Sequence, residues 1–387
     1  MNVLYIATYE GLSGASYSLI GMIKELRKIG INPLVVLLKD GKLRPKLEEN
    51  NIPYIIIRGY PWVIAENKRN NLKNKVFWMI KRIINCIADR KISKVIRYNK
   101  IDIVHINAFT ASVGLKAAHK NNIPCIWHIR EFVEEDLKKV FWNKNRAIKY
   151  LATADQSIAI SKSVYEKFKK QSPSSNIKVV YNGVLNKDYQ EARKNKIFEE
   201  TPIKILISGR IDPGKGHEEL IDALQQLVAK GVNVRLRVAG VSQSKEYEAY
   251  IKKKVNNLNL EQNITFLGFR NDLPDLYKDS DITVVASKAE AFGRVTVEAM
   301  MAGSLVIGAD TAGTKELIQQ DYGLLYKQGD STDLVNKILY ALEHKDEMRI
   351  IANTARNYAL QYYTAERNAQ EIFELYEMVM KNSHNNK

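Results

Sequence analysis

Residues 282–308 run Ile282-Thr283-Val284-Val285-Ala286-Ser287, then Lys288-Ala289-Glu290-Ala291-Phe292-Gly293, then Arg294-Val295-Thr296-Val297-Glu298-Ala299-Met300-Met301-Ala302, and close on Gly303-Ser304-Leu305-Val306-Ile307-Gly308. The opening run is mostly apolar and β-branched, without alternation of polar and apolar positions. Such a run suits a strand buried on both faces. After the Gly293 turn the chain reads as a helix, which Gly303 closes. Leu305–Gly308 then begins a second apolar run. Strand, helix and strand with short connections form the unit of a parallel sheet.

The same alternation extends outward. Apolar runs recur at Val3–Ala7, Leu34–Leu38, Tyr54–Ile57, Ile103–Ile106, Cys125–Ile129 and Ser157–Ile160, and again at Ile203–Ser208, Val234–Ala239 and Asn263–Leu267. Between them, sets such as Leu19, Ile23 and Leu26, or Leu220, Leu224 and Leu227, repeat at helical spacing. Two such series imply two doubly wound, parallel-sheet, Rossmann-like α/β domains. A length of 387 residues agrees, at roughly 100–200 residues per domain. The polar stretch Lys187–Thr201 predicts the boundary, giving domains at 1–190 and 200–365. Residues 366–387 form a C-terminal helix with Ile372, Leu375, Tyr376 and Val379 on one face, expected to pack back on the first domain. Its last residues, Lys381–Lys387, are expected to fray.

Composition narrows the class. No apolar run approaches the ~20 residues of a membrane span. The first residues read as a strand rather than a signal peptide. Two cysteines, Cys86 and Cys125, are too few for a disulfide framework, so a reducing, cytoplasmic setting is expected. The net charge of +16 is unevenly placed. Residues 1–200 hold 36 Lys and Arg against 18 Asp and Glu, whereas residues 201–387 hold 23 against 25. The first half therefore suits a polyanionic partner, or is simply a basic, soluble surface. Within it, Arg58–Lys100 carries twelve basic and two acidic residues among Trp62, Phe77, Trp78, Met79, Ile80, Ile83 and Ile84. This is either a helix lying on an anionic membrane or an ordinary helix that buries Phe77, Ile80 and Ile84.

The chemistry concentrates in two places. A Gly at a helix start lets backbone N–H groups and the positive end of the dipole meet a phosphate. Gly293 stands at such a start, with Glu290 in the loop before it and Glu298 inside the helix. A carboxylate accepts both hydroxyl protons of a ribose diol, so one of the two suits the nucleoside side of a diphosphate and the other the sugar side. The second place is Gly209-Arg210-Ile211-Asp212-Pro213-Gly214-Lys215-Gly216, following the strand Ile203–Ser208. Arg supplies a planar fork and Lys a point charge, together able to neutralise a diphosphate. The spacing is not that of a Walker A loop. Asp279-Ser280-Asp281 looks like a metal-binding Asp-x-Asp but precedes a strand, and a structural role is expected.

With these residues in view, the chain resembles a family 4 glycosyltransferase (retaining, glycosyl transferases group 1, GT-B fold) over nearly its whole length. The resemblance is carried by Gly209-Arg210 with Lys215-Gly216, Glu290 and Glu298 around Phe292-Gly293, and Asp281. It extends to Gly11-Leu12-Ser13-Gly14-Ala15-Ser16, Trp127-His128-Ile129-Arg130-Glu131, Ser161 and Tyr181-Asn182-Gly183-Val184. It implies a GT-B architecture, its two domains facing a central cleft. It also implies transfer of a sugar from a nucleotide donor, expected to be UDP-linked, to a glycan or lipid-linked acceptor in surface polysaccharide or glycoconjugate synthesis. Neither a cofactor nor a metal is implied, because Arg210, Lys215 and the Gly293–Val295 amides would stabilise the departing diphosphate. Glu290 would orient the donor sugar, and His128 would reach it from the opposite domain. These four side chains, His128, Glu290, Arg210 and Lys215, are the implied catalytic set. Donor contacts fall to Gly14, Gly209, Gly268, Phe269, Phe292, Gly293, Arg294, Val295 and Glu298, and acceptor contacts to Gly11, Ser13, Ser16 and Arg130.

Two departures stand out. Ser13-Gly14 replaces paired glycines, and Gly313-Thr314-Lys315-Glu316 replaces Gly-Gly-x-Glu near the donor sugar. A lipid-linked acceptor would place a cytoplasmic enzyme peripherally at the inner membrane face. Three rival readings compete with this one. A GT-B sugar-nucleotide 2-epimerase needs several acid/base groups that the six histidines do not supply in their contexts. A nucleic-acid-binding protein lacks any zinc-finger or RNP-type motif, so no nucleic-acid partner is expected. A non-catalytic homologue would have lost the donor contacts retained here.

Overall fold

The computed structural model describes residues 1–8, 13–69, 71–111, 113–191, 193, 196–318 and 321–385, except for the side chains of 384 and 385. The chain divides into two units, Met1–Gly183 with the helix Ala365–Asn385, and Val184–Thr364.

In the second unit six parallel strands lie in the order Ile264–Gly268, Val234–Ala239, Ile203–Ser208, Ile282–Val285, Leu305–Ala309, Leu324–Tyr326. The chain winds outward from Ile203–Ser208 in one direction, then returns to build the other half. The two central strands thus send their loops apart at their carboxyl ends, which makes a crevice where α/β folds take ligands. Leu220, Leu224 and Leu227 of the helix His217–Ala229 pack into the core with Ile205, Ile207 and Leu236 of the sheet.

The expected boundary at 190–200 is corrected. The chain joins the second unit at Val184, whose N–H donates to the Tyr363 carbonyl at 2.9 Å beside a Val184–Thr364 bridge. The stretch that reads as polar holds Tyr189, Ile197 and Phe198, all buried, and Arg356 donates to the carbonyls of Tyr189 and Gln190. A few apolar anchors in a polar run make it part of the domain.

The first unit carries seven parallel strands in the order Tyr54–Ile56, Asn32–Leu37, Asn2–Ala7, Ile103–Ile106, Cys125–Ile129, Gln156–Ala159, Ile177–Val179. Ile372, Leu375, Tyr376 and Val379 of the C-terminal helix are buried in its core with Leu19, Ile23 and Leu26 of the helix Gly14–Lys28.

The long helix Leu72–Tyr98 buries only Asn85, Ala88, Ile92, Ser93 and Ile96. Phe77 and Ile80, expected inside if the helix were ordinary, are 51% and 46% exposed. The expected aromatic partners go elsewhere. Trp62 is buried and donates its indole N–H to the Phe109 carbonyl, and Trp78 stacks on Trp142. Among the described residues, no helix is long and apolar enough to cross a membrane.

Candidate active site

The second unit gathers Arg210, Lys215 and Glu290 on the loops of its two central strands. The strand Ile203–Ser208 ends at Gly209, whose φ of +128° and N–H bond to the Ala239 carbonyl turn the chain sharply. A Cβ on Gly240 would lie 1.7 Å from the Gly209 carbonyl oxygen, and Gly240 N–H donates to Gly268. Three glycines on adjacent strand ends therefore make a close-packed backbone floor. Gly240 went unnoticed in the sequence, although its place directly after the run Val234–Ala239 marked it.

Asp212 shapes the next turn, its Oδ1 accepting the Gly214 N–H at 2.8 Å and its carbonyl the Lys215 N–H. Gly216 is fixed by contact: at φ +73°, a Cβ would sit 2.2 Å from the Ala286 carbonyl. That approach brings the loop of one central strand onto the end of the other. Lys215 Nζ lies 2.7 Å from Glu290 Oε1, and both side chains are largely enclosed. Arg210 is more exposed, its nearest acid being Asp212 at 3.5 Å. His217, just inside the helix, is buried, and burial holds its pKa down at about 4.

Gly293, at φ +93°, starts the helix Arg294–Ala302 without a side chain to cap it. Gly313 N–H holds the Glu290 carbonyl at 2.9 Å, and a Cβ there would strike the carbonyls of Phe292 and Glu290. Inside the helix, Glu298 accepts from Arg294 at 2.8 Å and from the buried Tyr277 hydroxyl at 3.4 Å, while Ser208 Oγ holds Tyr277 at 2.6 Å. Glu298 is therefore oriented from two sides, through partners that its spacing from Glu290 did not reveal. Gly268 has open space around its missing Cβ, and Phe269 beside it is 61% exposed, a face on which a flat ring could stack.

One expectation for this unit changes. The Phe292 ring is 3% exposed and packs edge-on against Tyr363, so only its main chain can line a site. Thr314, the departure from the family pattern, is fully buried with its methyl turned against Gly308. Asp281 accepts the N–H groups of Phe198 and Lys204, and Asp279 pairs with Lys204 and Arg237. Among the described residues, no three His, Cys, Asp or Glu side chains are grouped so as to hold a metal ion.

In the first unit, His128 is fully enclosed. Its Nδ1 lies 3.1 Å from His105 Nε2, His105 Nδ1 lies 2.7 Å from the Tyr376 hydroxyl, and Tyr376 donates to Tyr5 at 3.2 Å. With Tyr376 donating onward, His105 gives its Nδ1 proton to Tyr376 and accepts one from His128 Nδ1. His128 Nε2 is then a bare acceptor, and it is buried without a hydrogen-bond partner among the described residues. Burial first, then the charge of Arg130, holds both rings well below the usual imidazole range, so both are neutral. His105 signals itself only as a polar residue within the run Ile103–Ile106.

The acceptor-side residues are mostly engaged within the unit itself. Arg130 is buried, with Nε on Asn107 at 2.7 Å, one terminal nitrogen on Asn182 at 2.5 Å and the other on Met22 Sδ. It ties loops of the unit together instead of presenting a cation. Ser13 and Ser16 form a reciprocal capping box on the helix Gly14–Lys28. Gly14 is exposed in the first turn of that helix, and Gly11 lies outside the described residues. Glu131, missed in the sequence, is buried. Its carboxylate takes the N–H groups of Thr110 and Arg130, and burial pushes its pKa up to about 7.

Comparisons with known proteins agree in kind. The Glycosyltransferase Family 4 model matches residues 12–185, and the model for Glycosyl transferases group 1 matches residues 188–358. An uncharacterised glycosyltransferase of Methanocaldococcus jannaschii is 27% identical over 306 residues, 73% of this chain and 77% of that one. A lipopolysaccharide 1,2-N-acetylglucosaminetransferase of Salmonella typhimurium is 28% identical over 221 residues, 54% of this chain and 58% of that one. Among solved structures, Anabaena HepE in complex with UDP superposes with a TM-score of 0.80 at 24% identity, covering 98% of this chain and 100% of that one. The fold is GT-B, and the two family models between them take in both units, from residue 12 to residue 358 in the helix Lys345–Tyr362. The chain belongs to the family 4 glycosyltransferases.

Proposed function

We propose that the protein moves a sugar, with retention of configuration, from a UDP-linked donor to a glycan or lipid-linked acceptor, without a metal ion in the step. The observation that carries this reading is the Lys215–Glu290 pair beside the uncapped helix start at Gly293, at the switch point of the second sheet. An ammonium has three N–H donors, so Lys215 can keep Glu290 and still meet a diphosphate oxygen. Arg210 and the first amides of the helix Arg294–Ala302 add positive charge where the leaving group gathers negative charge. Glu298 suits the ribose and Phe269 the base. The UDP bound by HepE supports the choice of nucleotide, and the lipopolysaccharide relative supports a role in surface polysaccharide or glycoconjugate synthesis. Such an acceptor would set the enzyme peripherally at the inner face of a membrane.

A panel of UDP-, GDP- and ADP-linked sugars, scored by thermal shift and slow nucleotide release, tests the reading. Stabilisation and turnover with a UDP-sugar, undiminished by EDTA, and a product of unchanged anomeric configuration are expected. No response to any nucleotide sugar, or inversion in the product, would overturn it.

A further inference from the structure

We propose that the helix Leu72–Tyr98 carries a docking face that lies in the plane of an anionic lipid surface. This deepens the peripheral part of the reading above, and rests on it for the reason a membrane is needed at all. Leu72, Val76, Met79, Ile80, Ile83 and Ile87 are 75%, 53%, 63%, 46%, 62% and 45% exposed. Their spacing winds them into one stripe along the helix. A contiguous apolar face of this kind on a water-soluble surface marks an interaction site.

The helix is held firmly from its other side. Asn85 bonds both the N–H and the carbonyl of Tyr60, Ala88, Ile92 and Ile96 are buried, and Trp78 stacks on Trp142 at 5.3 Å. Those contacts fix the rotation of the helix, so the stripe is turned outward by the fold.

Charge decides the occupant. From Leu72 to Ala88 there is no acidic residue, while Lys73, Lys75 and Arg82 are exposed beside the stripe and Arg90, Lys91 and Lys94 continue beyond it. Lys81 is held over the rings of Phe77 and Tyr60 at 4.9 and 5.2 Å. A second copy of this chain would set the same cations against one another around the apolar seam. Anionic headgroups neutralise them while the apolar side chains enter the acyl boundary, as for interfacial amphipathic helices.

Co-sedimentation of the full chain with vesicles tests this without reference to turnover, so its outcome is separate from that of the transferase assay. Wild type should partition at least tenfold more onto phosphatidylcholine vesicles containing phosphatidylglycerol than onto phosphatidylcholine alone, and salt should reverse the difference. The pair I80E/I83E, at exposed positions that leave the fold intact by circular dichroism, should lower partitioning at least tenfold. The triple K73Q/K75Q/R82Q should remove the anionic preference and its salt sensitivity. Partitioning unchanged by I80E/I83E would overturn the proposal. So would a dimer in light scattering that I80E/I83E dissociates, which would make the face an interface between copies.

Discussion

Lys215 Nζ and Glu290 Oε1 lie 2.7 Å apart although 75 residues separate them in the chain. Each comes from the loop after one of the two central strands of the second sheet, brought together by the contact of Gly216 with Ala286. The pair places a cation and a carboxylate side by side at a helix start that itself favours anions. If the cation stabilises charge that grows as the diphosphate leaves, its loss should appear in turnover more than in donor binding. Lys215→Ala and Arg210→Ala are each expected to lower kcat by about 10²–10³-fold with little change in donor KM. Steady-state kinetics with the best UDP-sugar checks this, and unchanged kcat in both variants would sink the assignment.

Glu298 behaves differently in this scheme. It is oriented by Arg294 and Tyr277 and would meet a part of the donor that does not change during the reaction. Interactions equal in ground and transition states alter affinity and not kcat. Glu298→Ala should weaken UDP binding by roughly tenfold, about 1.4 kcal/mol, at near-constant kcat. Calorimetric titration of UDP, paired with kinetics at saturating donor, measures both. A collapse of kcat with unaltered affinity would move Glu298 from binding to chemistry.

The backbone floor offers a test of geometry alone. A Cβ on Gly240 meets the Gly209 carbonyl at 1.7 Å, whereas one on Gly268 meets nothing within 4 Å. Gly240→Ala must push the two strand ends apart, and should lose several kcal/mol of stability together with UDP binding. Gly268→Ala bears only the left-handed backbone penalty of its φ of +66°, about 1–2 kcal/mol. Urea unfolding of the two variants should separate them clearly. Equal losses would mean that the strand ends are freer than their contacts imply.

The contrast between the two units explains what could be read beforehand. Layer type and parallel pairing follow from continuous β-branched runs alternating with helical spacing, whereas the order of the strands in each sheet appears only in the structure. In the second unit several glycines that the sequence marks stand where two backbones meet, such as Gly216 against Ala286 and Gly313 against Glu290. Arg130, Ser13 and Ser16 mark the limit, because a polar side chain in a suggestive motif looks the same whether or not the fold already supplies its partners. Only the fold reveals that Asn107 and Asn182 occupy Arg130, or that Ser13 and Ser16 cap one another. The helix Leu72–Tyr98 stayed open between two readings for a related reason. Its periodicity announces an apolar stripe but not which side of the helix the sheet will cover.

The histidine chain of the first unit predicts coupling. His105 touches His128 and Tyr376, and acts on any ligand of His128 only by fixing which nitrogen of that ring carries the proton. As a positioning residue it should matter only while His128 is present. His105→Phe should lower kcat by an order of magnitude or more with little change in donor KM, and His128→Ala should do so at least as strongly. The double variant should be no worse than His128→Ala alone, a coupling that a double-mutant cycle measures. Fully additive losses would leave His105 as a packing residue.

Glu131 gives the stability of the first unit a distinctive pH dependence. Burial raises its carboxyl from 4.5 to about 7, against the opposing effect of hydrogen bonds from Thr110 and Arg130. The unfolded chain releases that proton near pH 4.5, and the folded chain holds it until about pH 7. Between those values the native state binds more protons, so stability falls as pH rises. The contribution is complete below pH 4.5, declines through the window and is lost above pH 7. Glu131→Gln removes the titration while keeping an oxygen that can accept one of the two N–H groups. Relative to wild type, the variant should therefore gain ground by up to about 3 kcal/mol between pH 5 and pH 8. His105, His128 and His217, all lowered by burial, impose the opposite slope below neutral pH. They are present in both proteins and drop out of the difference. Urea unfolding of the pair at pH 5, 6, 7 and 8 gives that difference directly, and parallel stability profiles would show that Glu131 does not hold its proton in the folded chain.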